Sequence, residues 1–138
     1  MKLVDIHCHL NQKLFEKDLD DVIKRAKKVG VKAIIASGTN PLANKEILKL
    51  AEKDEIIKAS LGIHPIDALG LSEGETGISK PEGKIDLEKE FEFIEKNKDK
   101  IVAIGEIGLD YYWDKEHHDE QKEIFRKVLR LNFILKYF

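Results

Sequence analysis

Short apolar runs alternate along this chain with stretches in which apolar residues recur every three or four positions, and that alternation constrains the fold more than anything else in the sequence. The runs lie at residues 1–10, 31–37, 57–65 and 101–105. Between and after them come Phe15, Leu19, Val22, Ile23, Ala26 and Val29, then Leu42, Ile47, Leu48 and Ala51, then Leu87, Phe91 and Ile94, and finally Ile124, Val128, Leu131, Leu135 and Phe138. A period of two or a continuous apolar run predicts a strand, whereas recurrence at three and four predicts one buried face of a helix. Strands joined through helices by short links must be parallel, with right-handed crossovers. The reading is an α/β fold of alternating βα units over residues 1–138.

Local signals place the helix ends. Asp18 is a candidate N-cap with Gly30 a C-terminal stop, Asn40 precedes Pro41 as cap and first helical residue, and Asp86 caps a third helix. The last helix starts near Glu116, and its stripe is expected to run to the chain end. Residues 70–85 hold four glycines and a proline without periodicity, which predicts a long, mobile loop.

The chemistry concentrates in the first run. On a strand Asp5, His7 and His9 share one face, and Val4, Ile6, Cys8 and Leu10 the other, so one side is expected to be buried and one to be chemical. Two imidazoles at i and i+2 have Cβ atoms roughly 6–7 Å apart and can reach one divalent cation. Hydrogen-bonded strand histidines without a metal satisfy the same spacing. His64 and Glu106 also fall at the C-terminal ends of apolar runs, the edge at which parallel β/α proteins carry their active sites. An ionised Glu106 there needs a cation or strong donors to offset its desolvation, and a salt bridge to Lys or Arg is the competing reading. His64 before Pro65 reads equally as a turn residue or a substrate contact, and Asp110 equally as a loop cap or a catalytic group. His117 and His118 read as solvated surface residues.

With 24 basic and 26 acidic side chains, the chain has no bulk field to attract nucleic acid, so nucleic-acid binding would rest on local contacts. Its single cysteine, Cys8, excludes an intrachain disulfide and reads as packing, in a reducing, cytoplasmic setting. There is no signal-peptide pattern and no apolar run long enough for a bilayer.

Three motifs in order, Asp5-Ile6-His7-Cys8-His9-Leu10, Gly62-Ile63-His64-Pro65 and Gly105-Glu106-Ile107-Gly108-Leu109-Asp110-Tyr111-Tyr112, resemble the TatD family of metal-dependent deoxyribonucleases. Gln121 and Phe125 match a further pattern of that family, so the resemblance runs to about residue 131. It implies a (β/α)8 TIM-type barrel, of which 138 residues form the N-terminal half, truncated before strand 5. It also implies that His7, His9 and Glu106 bind divalent metal, with Glu106 catalytic and bridging to a second ion, and that His64 and Asp110 contact the substrate.

By the same resemblance, the reaction is phosphodiester hydrolysis at DNA ends by a two-metal mechanism, the ions being Mg, Mn, Zn or Ni. The family's later histidines and its metal-binding aspartate have no counterpart here, and Ile66 stands where many relatives have a further histidine. One ion rather than two, weak or absent activity, and a homo-oligomer or a second chain supplying the missing half are therefore expected. An inactive half-barrel serving as an interaction module, or as part of a split hydrolase, is the alternative. Another hydrolase that begins with Asp-x-His-x-His, an amidohydrolase or a phosphoesterase of the polymerase-histidinol-phosphatase type, fits the first run but not Gly105–Tyr111.

Overall fold

The apolar runs become strands because turn formers bound them and their side chains have no helical period. A computed structural model describes residues 2–72 and 77–136. In it β1 (Leu3–Cys8), β2 (Val31–Ser37), β3 (Ile57–Leu61) and β4 (Ile101–Ile104) form one parallel sheet in the order β1-β2-β3-β4. Sequence neighbours are sheet neighbours, so each connection moves the chain over by one strand. The helices are α1 (Leu19–Lys28), α2 (Pro41–Lys53), the one-turn α3 (Pro65–Ala68), α4 (Leu87–Lys96) and α5 (His118–Leu135). None of the described helices is long and apolar enough to cross a membrane.

The sheet contributes Ile34, Ala36, Ile57, Ala59 and Leu61 to the main core, where they meet Ile47 and Leu50 of α2 and Ile94 of α4. A second cluster joins Ile124 and Val128 of α5 to Ile63, Ala68 and Ile85. Burying such side chains stabilises the fold by roughly 1.5–3 kcal/mol each, which is what anchors α5 beside the end of β3. Ser37 pairs with Ser60, and Ser60 with Ala103, so β2, β3 and β4 end nearly flush at the C-terminal edge.

Asn40 caps α2 as its position before Pro41 predicts, its Oδ1 accepting from the amides of Leu42 and Ala43. The same buried side chain donates to Asp67 Oδ2 at 2.7 Å and to the Ser79 carbonyl at 2.9 Å, tying α3 and the following loop to the end of β2. Residues 70–85 are thus better anchored than their composition predicts: Ile78 and Ile85 are buried, and the Gly77 carbonyl accepts from the Lys13 amide. The remainder of that mobility expectation, residues 73–76, lies outside the described residues.

Other expectations shift. Phe15 belongs to a 3-10 turn, Lys13–Phe15, and α1 begins only at Leu19; Asp18 makes no side-chain cap and lies 3.6 Å from Arg25 instead. The second face of β1 is not buried along its length, with Val4 55% and Ile6 74% exposed, because β1 is an edge strand and α1 packs on β2. The last helix starts at His118, two residues late, because Asp114 accepts from the amides of Glu116 and His117 and holds them in a turn. Its stripe is buried through Leu131, Leu135 is half-buried, and Phe138 lies outside the described residues.

Candidate metal centre

Strand geometry sends His7 and His9 to the same side, and the neighbouring strand determines what their rings offer. The Nδ1 atom of His9 lies 2.9 Å from the Ser37 carbonyl oxygen at the end of β2. A carbonyl only accepts, so Nδ1 carries the proton and neutral His9 presents the Nε2 lone pair outward. A backbone carbonyl holding the far nitrogen is a common support for a metal-ligating histidine. His7 places its Nδ1 3.4 Å from the Ser37 hydroxyl, and the two rings meet edge to face with centroids 4.9 Å apart. Their Nε2 atoms are 3.3 Å apart.

Glu106 reaches this pair because the chain beyond β4 folds back over the sheet edge. The Gly105 amide donates to the Leu61 carbonyl, the Ile63 amide to the Glu106 carbonyl, and the Glu106 amide to the Gly38 carbonyl beyond β2. The crossing passes so close to β3 that a Cβ on Gly62 would stand 2.3 Å from the Glu106 amide nitrogen and carbonyl oxygen. Asn44, fully buried, fixes Gly62 from below, accepting from its amide at 3.1 Å and donating to its carbonyl at 2.9 Å. A further donation at 2.6 Å goes to the buried Glu90, whose carboxyl is pushed up by its burial.

The Glu106 carboxylate so delivered has one buried oxygen, Oε2, with no hydrogen-bond partner. It faces His9 Nε2 at 3.5 Å and His7 Nε2 at 3.7 Å. One atom from each of the three residues lies within 4.8 Å of the others. Ligands about 2.0–2.2 Å from a tetrahedrally bound ion stand roughly 3.3–3.6 Å apart, so the observed separations fit a single divalent cation. The orphaned Oε2 gives the physical reason to expect one: a buried carboxylate oxygen without a donor is destabilising, and a cation between it and two imidazole lone pairs satisfies all three.

His64 presents the opposite tautomer. It is the N-cap of α3, and its Nδ1 accepts from the Ile66 amide at 3.3 Å. With Nδ1 accepting, the proton of the neutral ring sits on Nε2, which points into the site 3.9 Å from both Glu106 Oε1 and Asp110 Oδ2. His64 therefore presents a donor where His9 presents a lone pair, and these gaps exceed hydrogen-bond length. Asp110 spends its other oxygen on the amides of Tyr112 and Trp113, both at 3.0 Å.

All five candidate residues thus share one edge. Asp5 stands apart: it is exposed, and it accepts from the His7 amide. Burial pushes the Cys8 thiol up to about 12, in keeping with a packing role. His117 and His118 are away from the cluster but are not simply solvated, since His117 Nδ1 bonds Asp114 at 2.9 Å and the His118 ring lies 3.9 Å from that of Tyr111. Sequence reasoning assigned no role to Ser37, Asn44 or Gly62. Ser37 and Asn44 act through atoms no spacing rule identifies, but Gly62, the glycine two residues before His64, was a visible signal of close backbone approach.

Comparison with known proteins gives a consistent picture. A family model described as TatD related DNase matches residues 4–136. The "Uncharacterized metal-dependent hydrolase YabD" of Bacillus subtilis is 36% identical over 129 residues, which cover 94% of this chain and 46% of that protein. The human "Deoxyribonuclease TATDN3" is 38% identical over 128 residues, covering 92% of this chain and 45% of its own length. Among solved structures, that of YjjV, a TatD homolog from Escherichia coli, superposes with a TM-score of 0.77 at 30% identity, covering 97% of this chain and 48% of the other. The chain spans about half the length of the curated relatives it matches.

Proposed function

The chain belongs to the TatD-related DNase family, and from that membership we propose that it is a metal-dependent phosphodiesterase acting at DNA ends, with His7, His9 and Glu106 holding a divalent ion. The observation that carries this reading is the convergence of two imidazole nitrogens and a partnerless carboxylate oxygen. Nitrogen and carboxylate donors together suit Zn, Mn or Ni better than Mg, which prefers oxygen ligands. The bound ion supplies Lewis-acid polarisation of a phosphoryl oxygen.

The chain's own groups do the rest. Ser37 holds the His9 ring in the tautomer that leaves Nε2 free. His64 turns its Nε2–H toward the space beside Glu106 and Asp110, a donor for a phosphate oxygen bound at the ion. Asp110, its Oδ2 3.9 Å from His64 Nε2, lines the same space. Glu106, its backbone pinned at both amide and carbonyl, contributes its carboxylate without reorganisation.

Elemental analysis of the purified chain beside the His7→Ala/His9→Ala double variant tests the proposal, together with release of nucleotides from end-labelled DNA. About one divalent ion per chain, lost in the double variant along with whatever weak cleavage the half-site supports, is the expected result. Equal metal content in both proteins, or cleavage insensitive to the double substitution, overturns it.

A further inference from the structure

Resting on the phosphodiesterase reading, we propose that Tyr112 and Trp113 form a stacking platform for an unpaired nucleobase at the substrate's end. They are among the most exposed large side chains of the described residues, Tyr112 at 76% and Trp113 at 79%. A loop that leaves two such rings in water forgoes burial of roughly 150–250 Å² for each. A flexible loop could fold them inward. This one is fixed.

Gln121 of α5, which has no exposed surface, grips it at both ends. Its Oε1 accepts from the Asp110 amide at 2.7 Å, and its Nε2 donates to the Asp110 carbonyl at 2.8 Å and to Asp114 Oδ2 at 2.9 Å. Between those points the Asp110 carboxylate accepts from the amides of both aromatic residues. Tyr111 turns aside onto His118, whereas Tyr112 and Trp113 meet edge to face, with centroids 5.0 Å apart and planes at 87°. In that arrangement one ring braces the other with its edge and both retain an open face.

The link to the site is Asp110 itself. One oxygen holds the platform, while the other stands 3.9 Å from His64 Nε2. The rings are therefore anchored to a side chain that lines the space assigned to the phosphate. A nucleotide whose phosphate sits beside His64 meets the same carboxylate that holds this loop, and every base offers a π-face to a rigid aromatic. Bases in a duplex are already stacked, so the occupant is the unpaired base of a frayed or single-stranded end. With no basic bulk field on the chain, such local contacts have to supply much of the affinity.

Trp113 is the chain's one tryptophan, so its fluorescence reads the platform directly. The probe is a nuclease-resistant phosphorothioate thymidine pentamer, compared with an abasic phosphorothioate of equal length and charge, each titrated without added metal and again with manganese. The pentamer should quench Trp113 saturably and bind at least about fivefold more tightly than the abasic strand, since one stacked base is worth roughly 5- to 150-fold in affinity. Tyr112→Ala, at an exposed position, should weaken the pentamer about as much while leaving the far-UV circular dichroism and metal content unchanged.

Equal affinity for the two strands, or no quenching by either, overturns the proposal. So does a concentration-dependent emission shift without oligonucleotide, which would assign the rings to a second copy of this chain. The His7→Ala/His9→Ala variant separates the two readings. Base-dependent quenching that persists there in metal-free buffer supports the platform even if the parent takes up no metal and cuts no DNA. Metal uptake and cleavage without base-dependent quenching would leave the phosphodiesterase standing and the platform refuted.

Discussion

Replacing Gly62 by alanine tests how the proposed metal centre is assembled, because it adds one methyl group where the Glu106 backbone crosses β3. The new Cβ would meet the Glu106 amide nitrogen, its carbonyl oxygen and the Gly105 carbonyl carbon, all at 2.3 Å. Ordinary van der Waals contact begins near 3.4 Å, so the crossing segment must retreat by about 1 Å. Overpacking of this kind costs about 1–3 kcal/mol. Loss of the 2.9 Å bond from the Ile63 amide to the Glu106 carbonyl adds about 1 kcal/mol. The expected destabilisation is therefore about 2–4 kcal/mol, a fall of about 1–2 M in the urea midpoint. Metal ligands tolerate displacements of only about 0.2 Å, so a carboxylate carried along by a shift of this size should lose most of its hold on the ion. Zinc affinity, measured by competition with a chromophoric chelator, should fall by at least about tenfold. Gly108→Ala is the control, since a Cβ there meets nothing within 4 Å, and it should stay within about 0.5 kcal/mol of the parent. If Gly62→Ala unfolds and binds zinc as the parent does, the crossing is not what positions Glu106.

Three further outcomes follow from the buried polar groups. Gln121→Ala strands the Asp110 amide and carbonyl, and should lower stability by about 2–4 kcal/mol and reduce Trp113 fluorescence anisotropy; parent-like values for both would show the loop to be held elsewhere. The hydrogen bond between His117 and Asp114 raises the imidazole above its usual range and is the largest cause holding the carboxyl well below its own. The pair's stabilisation is thus fully present between about pH 4 and 6.5, fading as pH falls through the lowered Asp114 value or rises through the raised His117 value. Urea midpoints from pH 6 to 9 should therefore decline more steeply for the parent than for His117→Ala, and parallel curves would contradict this. Burial raises Glu90, so the native state keeps a proton that the unfolded chain releases, and stability should decline as pH climbs from about 4.3 through that raised value. Glu90→Gln, still able to accept from Asn44, should flatten this decline, and an unchanged slope would remove Glu90 as its source.

Much of the framework was legible because it depends on local rules. β2 and β3 are apolar runs too short for helices, and Asn40-Pro41 starts a helix wherever it precedes an apolar period. His7 and His9 share a face because strand side chains alternate. Longer-range packing decided the rest. Whether Val4 and Ile6 are covered depends on α1 lying over β2, and nothing in residues 3–8 encodes that. Four-residue α3 is too short to have a period, and Asp18 looked like a cap although its carboxylate turns toward Arg25. The histidine tautomers were out of reach for the same reason: they depend on the Ser37 carbonyl and the Ile66 amide, two backbone atoms placed by tertiary structure.

Least visible in the sequence is how a carboxylate after β4 meets His7 on β1 and His9 just beyond its end. Three strand spacings separate the two edges of the sheet, about 14 Å, well beyond the reach of a glutamate side chain. The backbone covers most of that distance. Having paired with β3 through Gly105, the chain runs on until the Glu106 amide bonds Gly38, beyond the end of β2, so that only the last interval is left to the side chain. Each step requires that a Cβ be missing. On Gly62 it would block the Glu106 backbone, and on Gly38 it would strike Asn44, the side chain that fixes Gly62. The metal-binding residue types are dictated by coordination chemistry and so stand out in a sequence. The glycines that allow those residues to converge are dictated by the path of the backbone, and their function appears only when that path is known.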